Sequence, residues 1–480
     1  MSNRNFKLLI VEDEPDISDN ISSVFKRIFN DIDITFATCR DEAFEILESE
    51  NVFFDYITLD LNFSVIKNGF DKDPQNGLAV LAKCVSDIKG TPILILTGTS
   101  TVDMIGQFLS SSVITDIWGS GVAGPTIEHC RKENINELSK IVESLKIKFD
   151  NIYNVELNFE SDNITLPIEH DRLLRIFSKK HGSVITKIKA IGGGLSASKV
   201  YGLELSNEYG HVFLRVVSKC GPNEKVNEDE TNYRTFISRL SPGATPRYID
   251  LIVHGAASNG AVFYGFAHTY DHSFFSASEA GVMNSDLYLN TRNILDVWYD
   301  ARVMKNCSIK SIRQQILSDE NAFDLIKKYN LNTAFHFENH TVNCSHSVQH
   351  GDLHGENILI NTKDQSSSLI DYGDIGEMVS ILDPLTLECS FLFHPDAVKY
   401  DWPTDENLDN WHSIEQYLDG CPIASEIRFC RDWLNSRKRG NREVSACLYS
   451  YALRQLKYPG TDKNRALRLI DAAYRLYVAS

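Results

Sequence analysis

The sequence predicts an α/β chain in two parts: an N-terminal doubly wound (βα)5 domain, then a bilobal α+β half with a strand-rich small lobe and a helical large lobe. Three observations carry this. Short apolar runs alternate with amphipathic stretches through residues 1–147. A glycine-rich turn between strand-like segments follows near residue 192, and apolar residues recur at helical spacing through most of the remainder. At 480 residues the chain exceeds what one hydrophobic core organises. The expected domains are 1–147, a connector at 148–183, a small lobe at 184–270 and a large lobe at 271–480.

Composition narrows the function. Apolar residues make up 42% and charged residues 24%, ordinary values for a globular protein. Forty-eight basic against 65 acidic residues leave a net charge of −17, which argues against a nucleic-acid partner. The ten cysteines stand singly, without a Cys-x-x-Cys pair, and no export signal precedes them. They read as reduced thiols of a cytoplasmic protein. No apolar run reaches the roughly 18 residues of a membrane span, so no membrane association is expected.

Taken in order, KLLIV (7–11) reads as a buried strand that runs into Glu12, Asp13 and Glu14. A second strand, Tyr56 to Leu59, ends at Asp60, and a third, Ile93 to Leu96, ends at Thr97. Amphipathic stretches such as Asp16 to Phe29 and Arg40 to Ser49 lie between them. In an open parallel sheet the loops beyond the strands' C-terminal ends converge, so these polar residues are candidates for one site.

LLIVEDEPD, DYITLDLNF and ILILTGTS resemble the receiver domain of two-component response regulators over about residues 5–147. The resemblance implies that Glu12 and Asp13 hold Mg²⁺ with the carbonyl of Asn62, that Asp60 accepts phosphate, and that Thr97 moves on phosphorylation. It also implies a sensor histidine kinase as partner and a homodimer formed through one receiver face. Two departures stand out. The loop FSVIKNGFDKDPQN enlarges the stretch between Asp60 and Gly77, and DIWGSGVAGPT occupies the place where the family lysine is expected. Lys132 serves as that lysine if the intervening loop bulges out.

Residues 149–183 mix a strand-like piece, a polar cluster and a helical pattern, and read as a connector with structure of its own. GGGLSASKV then supplies Gly192, Gly193, Gly194, Ser196 and Ser198, a composition that lets backbone N–H groups approach phosphates. Strand VFLRVVSK ends at Lys219, and KVNEDETNYRTFISRL is helix-like. A strand lysine held by a helix acid grips nucleotide phosphates in kinase small lobes. Lys219 with Glu230 is the preferred pair, with Arg215 and Glu228 in reserve.

The large lobe reads as helical over Arg292 to Val303, Ile309 to Leu317, Asn321 to Lys328 and Asn464 to Tyr477. AVFYGFAHTY (261–270) suits a last small-lobe strand and a hinge for adenine. HGDLHGEN (350–357) followed by LIDYGD is the most specific pattern in the chain. Asn357 lies five residues beyond Asp352 and Asp371 nineteen beyond it, the spacing of a catalytic loop followed by a metal-binding loop. IGGGLSASKV, HGDLHGENILI, SLIDYGDIG and DPLTLE together resemble the aminoglycoside and choline kinase-like phosphotransferases over about residues 184–480. That resemblance implies ATP and Mg²⁺ as cofactors, Asp352 as catalytic base, Asn357 and Asp371 as metal ligands, and a hydroxyl-bearing acceptor of unknown identity. Asp383 in DPLTLE reads as a helix cap. His346, His350 and His354 have i, i+4 spacing, but GDLHG is loop-like, so His350 is expected to brace the loop by hydrogen bonding rather than to bind zinc. The alternative function is a signalling adaptor, in which the receiver gates partner or nucleotide binding by a lobe that does not turn over.

Overall fold

The computed structural model describes residues 4–49, 52–98, 112–160, 165–191, 198–266 and 270–480. The chain divides into two compact units, Met1–Glu230 with Tyr248–Phe266, and Thr231–Arg247 with Ala267–Ser480.

The first unit opens with a wholly parallel five-stranded sheet of β1 (Phe6–Val11), β2 (Ile32–Ala37), β3 (Tyr56–Asp60), β4 (Ile93–Thr97) and β5 (Ile127–Arg131). Its order is β2-β1-β3-β4-β5. Alternate residues of β1 serve opposite faces: Leu9 and Val11 join one core, while Phe6, Leu8 and Ile10 join the other. Helices α1 (Pro15–Ile28), α2 (Arg40–Leu47), α3 (Pro74–Asp87) and α4 (Ile135–Tyr153) cover the two faces. Proline opens α1 and α3, where a missing N–H costs nothing, and the side chains of Asp73 and Asn134 cap α3 and α4. The strand order reverses between β1 and β3, so their C-terminal ends form the crevice of a doubly wound sheet.

The second sheet of this unit contains β6 (Glu156–Phe159), β7 (Ile185–Ile191), β8 (Lys199–Ser206), β9 (Val212–Pro222), β10 (Tyr248–Ile252) and β11 (Asn259–Gly265). Its order is β10-β11-β9-β8-β7-β6, antiparallel except for the β6–β7 pair. The stretch read as a connector is built into the unit. Helix α4 continues to Tyr153, and α5 (Ile168–Lys180) stacks Phe177 on Phe263 of β11 with ring centroids 3.7 Å apart. On the same helix Arg172 is buried, lying over the Trp118 ring and 4.0 Å from Asp55 at the start of β3. After β9 comes α6 (Asn223–Thr235).

The second unit is mainly helical. Helix Leu382–Phe393 is buried at every residue, its polar Asp383, Thr386, Glu388 and Ser390 included, and Ala424–Arg437, Asn441–Gln455 and Lys463–Val478 pack around the same core. Its short strands are β12 (Val303–Ser308), β13 (Thr341–Gln349), β14 (Ile358–Asn361), β15 (Ser366–Leu369) and β16 (Gly376–Val379). β12, β13 and β16 form one antiparallel sheet, and β14 with β15 forms a hairpin. The helix expected over Arg292 to Val303 is present in two pieces and ends at Asp300, short of the expected end. Helices Ser285–Ile294 and Asp296–Asp300 are followed by β12. Cross-strand pairing with β13 overrides local propensity there, and the exposed residues of β12 have no apolar period to announce a strand.

Candidate functional site

In the first unit, β1 delivers Glu12 and Asp13 and β3 delivers Asp60. One carboxylate oxygen from each lies within 4.8 Å of the other two. Lys132, immediately after β5, reaches Glu12 Oε2 at 2.8 Å and Asp60 Oδ2 at 3.0 Å. The bulge expected before it is a small hairpin in which Ile114–Thr115 pairs with Gly124–Pro125. Burial, reinforced by the Asp60 charge, pushes the Glu12 acid up to about 7, while Lys132 opposes that rise. Burial pulls the Lys132 ammonium down, but Asp60 and Glu12 outweigh it and hold it above its ordinary value. Asp13 Oδ1 is buried without a hydrogen-bond partner among the described residues. An all-oxygen set with an unsatisfied acceptor fits a hard cation such as Mg²⁺.

The enlarged loop adds a second lysine. It is braced by Asn76 Nδ2, which donates to the carbonyls of Phe63 and Asp71, and by Val65 N, which donates to Asp71. Lys72 thereby reaches Asp13 Oδ2 at 2.6 Å. Asn62 is exposed, and β4 ends at Thr97, whose side chain lies outside the described residues.

In the small-lobe sheet, Gly192, Gly193, Gly194 and Ser196 lie outside the described residues, whereas Ser198 is buried just before β8. Lys219 on β9 meets Asp229 on α6 at 3.0 Å. Asp229 precedes Glu230, the preferred acid, and was not foreseen; the helix phase decides which of three successive acids faces the strand. Glu228, the reserve acid, pairs with Lys225, and Arg215, the reserve cation, pairs with Glu204 opposite it on β8.

In the second unit, β13 runs into the loop carrying Asp352. Asn357 Nδ2 donates to the Asp352 carbonyl at 2.9 Å, which leaves Asn357 Oδ1 as the ligand atom on offer. His350 Nε2 donates to the Ile370 carbonyl at 2.9 Å, linking this loop to the residue before Asp371. Asp371 itself has φ of 59°, an uncommon left-handed conformation of the kind that gathers at functional sites. Gly351, at φ of 85°, is required on two counts: a Cβ there would lie 2.2 Å from the Asp374 carbonyl oxygen. The helix-cap reading of Asp383 is corrected. Asp383 lies inside helix Leu382–Phe393, fully buried, and accepts from His350 N at 2.8 Å and Gly351 N at 3.1 Å, so it clamps the loop. Burial pushes its acid up despite these donors.

Two further groups frame Asp352. His354 Nε2 lies 3.9 Å from its carboxylate, and burial holds that imidazole down to about 4 although Asp352 and Asp371 both pull it upward. The ring is therefore neutral. Arg454, on helix Asn441–Gln455, lies 3.5 Å from Asp352 and 3.7 Å from Asp374. Burial lowers the Arg454 guanidinium, but Asp352, Tyr458 and Asp374 together outweigh it and hold it above its ordinary value. Nothing in the motif spacing announces this arginine.

The chain joins a doubly wound parallel-sheet fold to a largely antiparallel sheet and a mainly helical unit. Solved structures similar to the first part include the phosphorylated cyanobacterial phytochrome response regulator RcpA, at 23% identity over 30% of this chain and 92% of that one, with a TM-score of 0.23. Those similar to the remainder include an aminoglycoside-3'-phosphotransferase of type VIII, at 12% identity over 55% of this chain and 99% of that one (TM-score 0.31). An ethanolamine kinase from Plasmodium vivax matches at 13% identity over 61% and 81% of the two chains (TM-score 0.27). No protein-family model matches the chain, and no curated protein matches it.

Proposed function

We propose that the protein is an ATP- and Mg²⁺-dependent phosphotransferase acting on a hydroxyl acceptor, coupled to a receiver domain of a phosphorelay. The observation that carries this reading is the loop Gly351–Asn357, whose backbone is pinned by Asp383 and whose Asn357 is pinned to the Asp352 carbonyl. Asp352 accepts the acceptor hydroxyl's proton, Asn357 and Asp371 hold the metal, and Lys219, braced by Asp229, grips the nucleotide phosphates. When bound, Mg²⁺ supplies charge neutralisation at the transferred phosphoryl group. His354, neutral beside Asp352, leaves that carboxylate's charge available for the proton. On the receiver side Asp60 takes phosphate, with Glu12, Asp13 and Lys132 offsetting its charge, and a histidine kinase is the donor. Cytoplasmic location and receiver-mediated homodimers belong to the same proposal.

ADP release from the full chain with Mg²⁺ and ATP tests the reading. Asp352→Asn should lower it by roughly 10²–10⁴-fold, the span of general base catalysis, while nucleotide affinity stays unchanged. Lys219→Ala and Asp371→Ala should also lose turnover. A parent protein that binds nucleotide yet releases no ADP would favour the adaptor. Beryllofluoride should alter turnover or oligomeric state in the parent but not in Asp60→Ala.

A further inference from the structure

A cluster just upstream of HGDLHGEN lies on the sheet that feeds the Asp352 loop. β12 and β13 pair with Lys305 opposite Cys344 and Cys307 opposite Val342, which sets Cys307 diagonally across from Cys344 on one face. His346, two residues beyond Cys344, shares that face. Cys344 Sγ lies 3.8 Å from His346 Nδ1, and Cys307 Sγ lies 4.0 Å from Nε2. One ligand atom from each of the three residues lies within 4.8 Å of the other two.

We propose that Cys307, Cys344 and His346 bind one thiophilic divalent cation, zinc by the chemistry of the donors. Two sulfurs and one imidazole on a small face are a soft and borderline set that selects zinc over the magnesium of the oxygen sites. Three protein ligands leave a fourth position for water or an outside ligand. Cys344 and His346 are buried whereas Cys307, on the edge strand, is half-buried, which provides a way in. Gln315 touches the ring from outside: its oxygen accepts from Val379 N of β16, so its side-chain nitrogen donates to His346 Nε2 at 3.0 Å, a hydrogen bond that an ion on either ring nitrogen would displace. Burial, with the nearby Lys305 charge, holds the imidazole below its ordinary value. Burial keeps the Cys344 thiol protonated in the empty site, so binding releases protons. β13 continues from His346 into the loop of Asp352, six residues on, and the ion would fix the β12–β13 register just upstream of it.

The full chain, kept reduced and loaded with Zn²⁺ or Co²⁺, tests this beside Cys307→Ala, His346→Gln and Cys421→Ala, the last a half-buried cysteine outside the cluster. The parent and Cys421→Ala should each retain one zinc per chain after dialysis. Cys307→Ala and His346→Gln should bind more than about tenfold more weakly, since even outer-shell changes cost that much. Co²⁺ in the parent should show thiolate charge-transfer absorption that Cys307→Ala lacks, with unchanged far-ultraviolet circular dichroism certifying the fold. Zinc should raise the thermal midpoint of the parent and not that of Cys307→Ala. A reduced parent that retains no zinc, a parent whose Cys307 and Cys344 are recovered as a disulfide under these conditions, or equal zinc loss in Cys421→Ala would overturn the proposal.

Discussion

Replacing Asp383 by alanine should unseat the loop that carries Asp352. The parent carboxylate accepts from His350 N at 2.8 Å and Gly351 N at 3.1 Å, and all three residues are buried. Alanine strands two buried donors at about 1–3 kcal/mol each. Against this, burial disfavours the charged acid, as its raised pKa records, so removing it recovers part of that cost. The net loss should be about 2–4 kcal/mol. Asp383→Asn keeps one acceptor oxygen but turns an amide donor toward the other N–H, and should lose about 1–3 kcal/mol. Turnover should fall further than stability suggests, because a loop displaced by about 1 Å costs about a hundredfold in rate. Four of the five tryptophans, Trp298, Trp402, Trp411 and Trp433, are buried in the second unit and Trp118 lies in the first, so tryptophan fluorescence in guanidinium, read in a Trp118→Phe background, follows the second unit. ADP release and nucleotide titration complete the assay. Alanine and asparagine variants that unfold with the parent and turn over at its rate would refute the clamp.

Glu443 should make the second unit's stability depend on pH. Burial pushes its acid from 4.5 to about 7, although Arg439 N and Ser345 N donate to it. Because the folded pKa is the higher one, the contribution is complete below pH 4.5 and is lost as pH rises through about 7, amounting to about 3 kcal/mol at most. Urea midpoints should therefore fall between pH 5 and 8 more steeply in the parent than in Glu443→Gln; parallel curves would exclude this origin. Lys72→Ala should tighten Mg²⁺ binding at the receiver acids about two- to fivefold in calorimetric titration, the effect of removing one exposed competing cation, and unchanged or weaker binding would count against it. Glu388→Ala should cost about 3–5 kcal/mol in chemical unfolding by leaving Arg431 buried and unpaired, whereas Glu388→Leu with Arg431→Met should recover much of it. A single variant with parental stability would show that water reaches the arginine.

What was legible in the sequence was legible because it is local. Glu12, Asp13 and Asp60 stand at the ends of largely apolar strands, so their shared edge could be inferred, and Lys132 lay near enough to the final helix to be proposed. Asp352, Asn357 and Asp371 sit in one hairpin-containing stretch whose spacing carries the chemistry. The misses are matters of long-range placement or of phase. Asp229 rather than its neighbours was found on Lys219 because one residue turns a helix by about 100°. Asp383 is drawn into the loop by donors more than thirty residues earlier, which no capping rule anticipates. Arg454 reaches Asp352 from about a hundred residues away through the packing of a largely buried helix, and Cys307 meets Cys344 only because an exposed, patternless segment pairs as a strand. Motif spacing therefore finds the groups proposed to act on the reacting atoms, while the groups that hold them in place come from distant elements and are set by the core. Asp383 and Arg454 are the residues to examine when a related sequence keeps HGDLHGEN: if they are lost without compensation, the motif alone no longer implies an ordered catalytic loop.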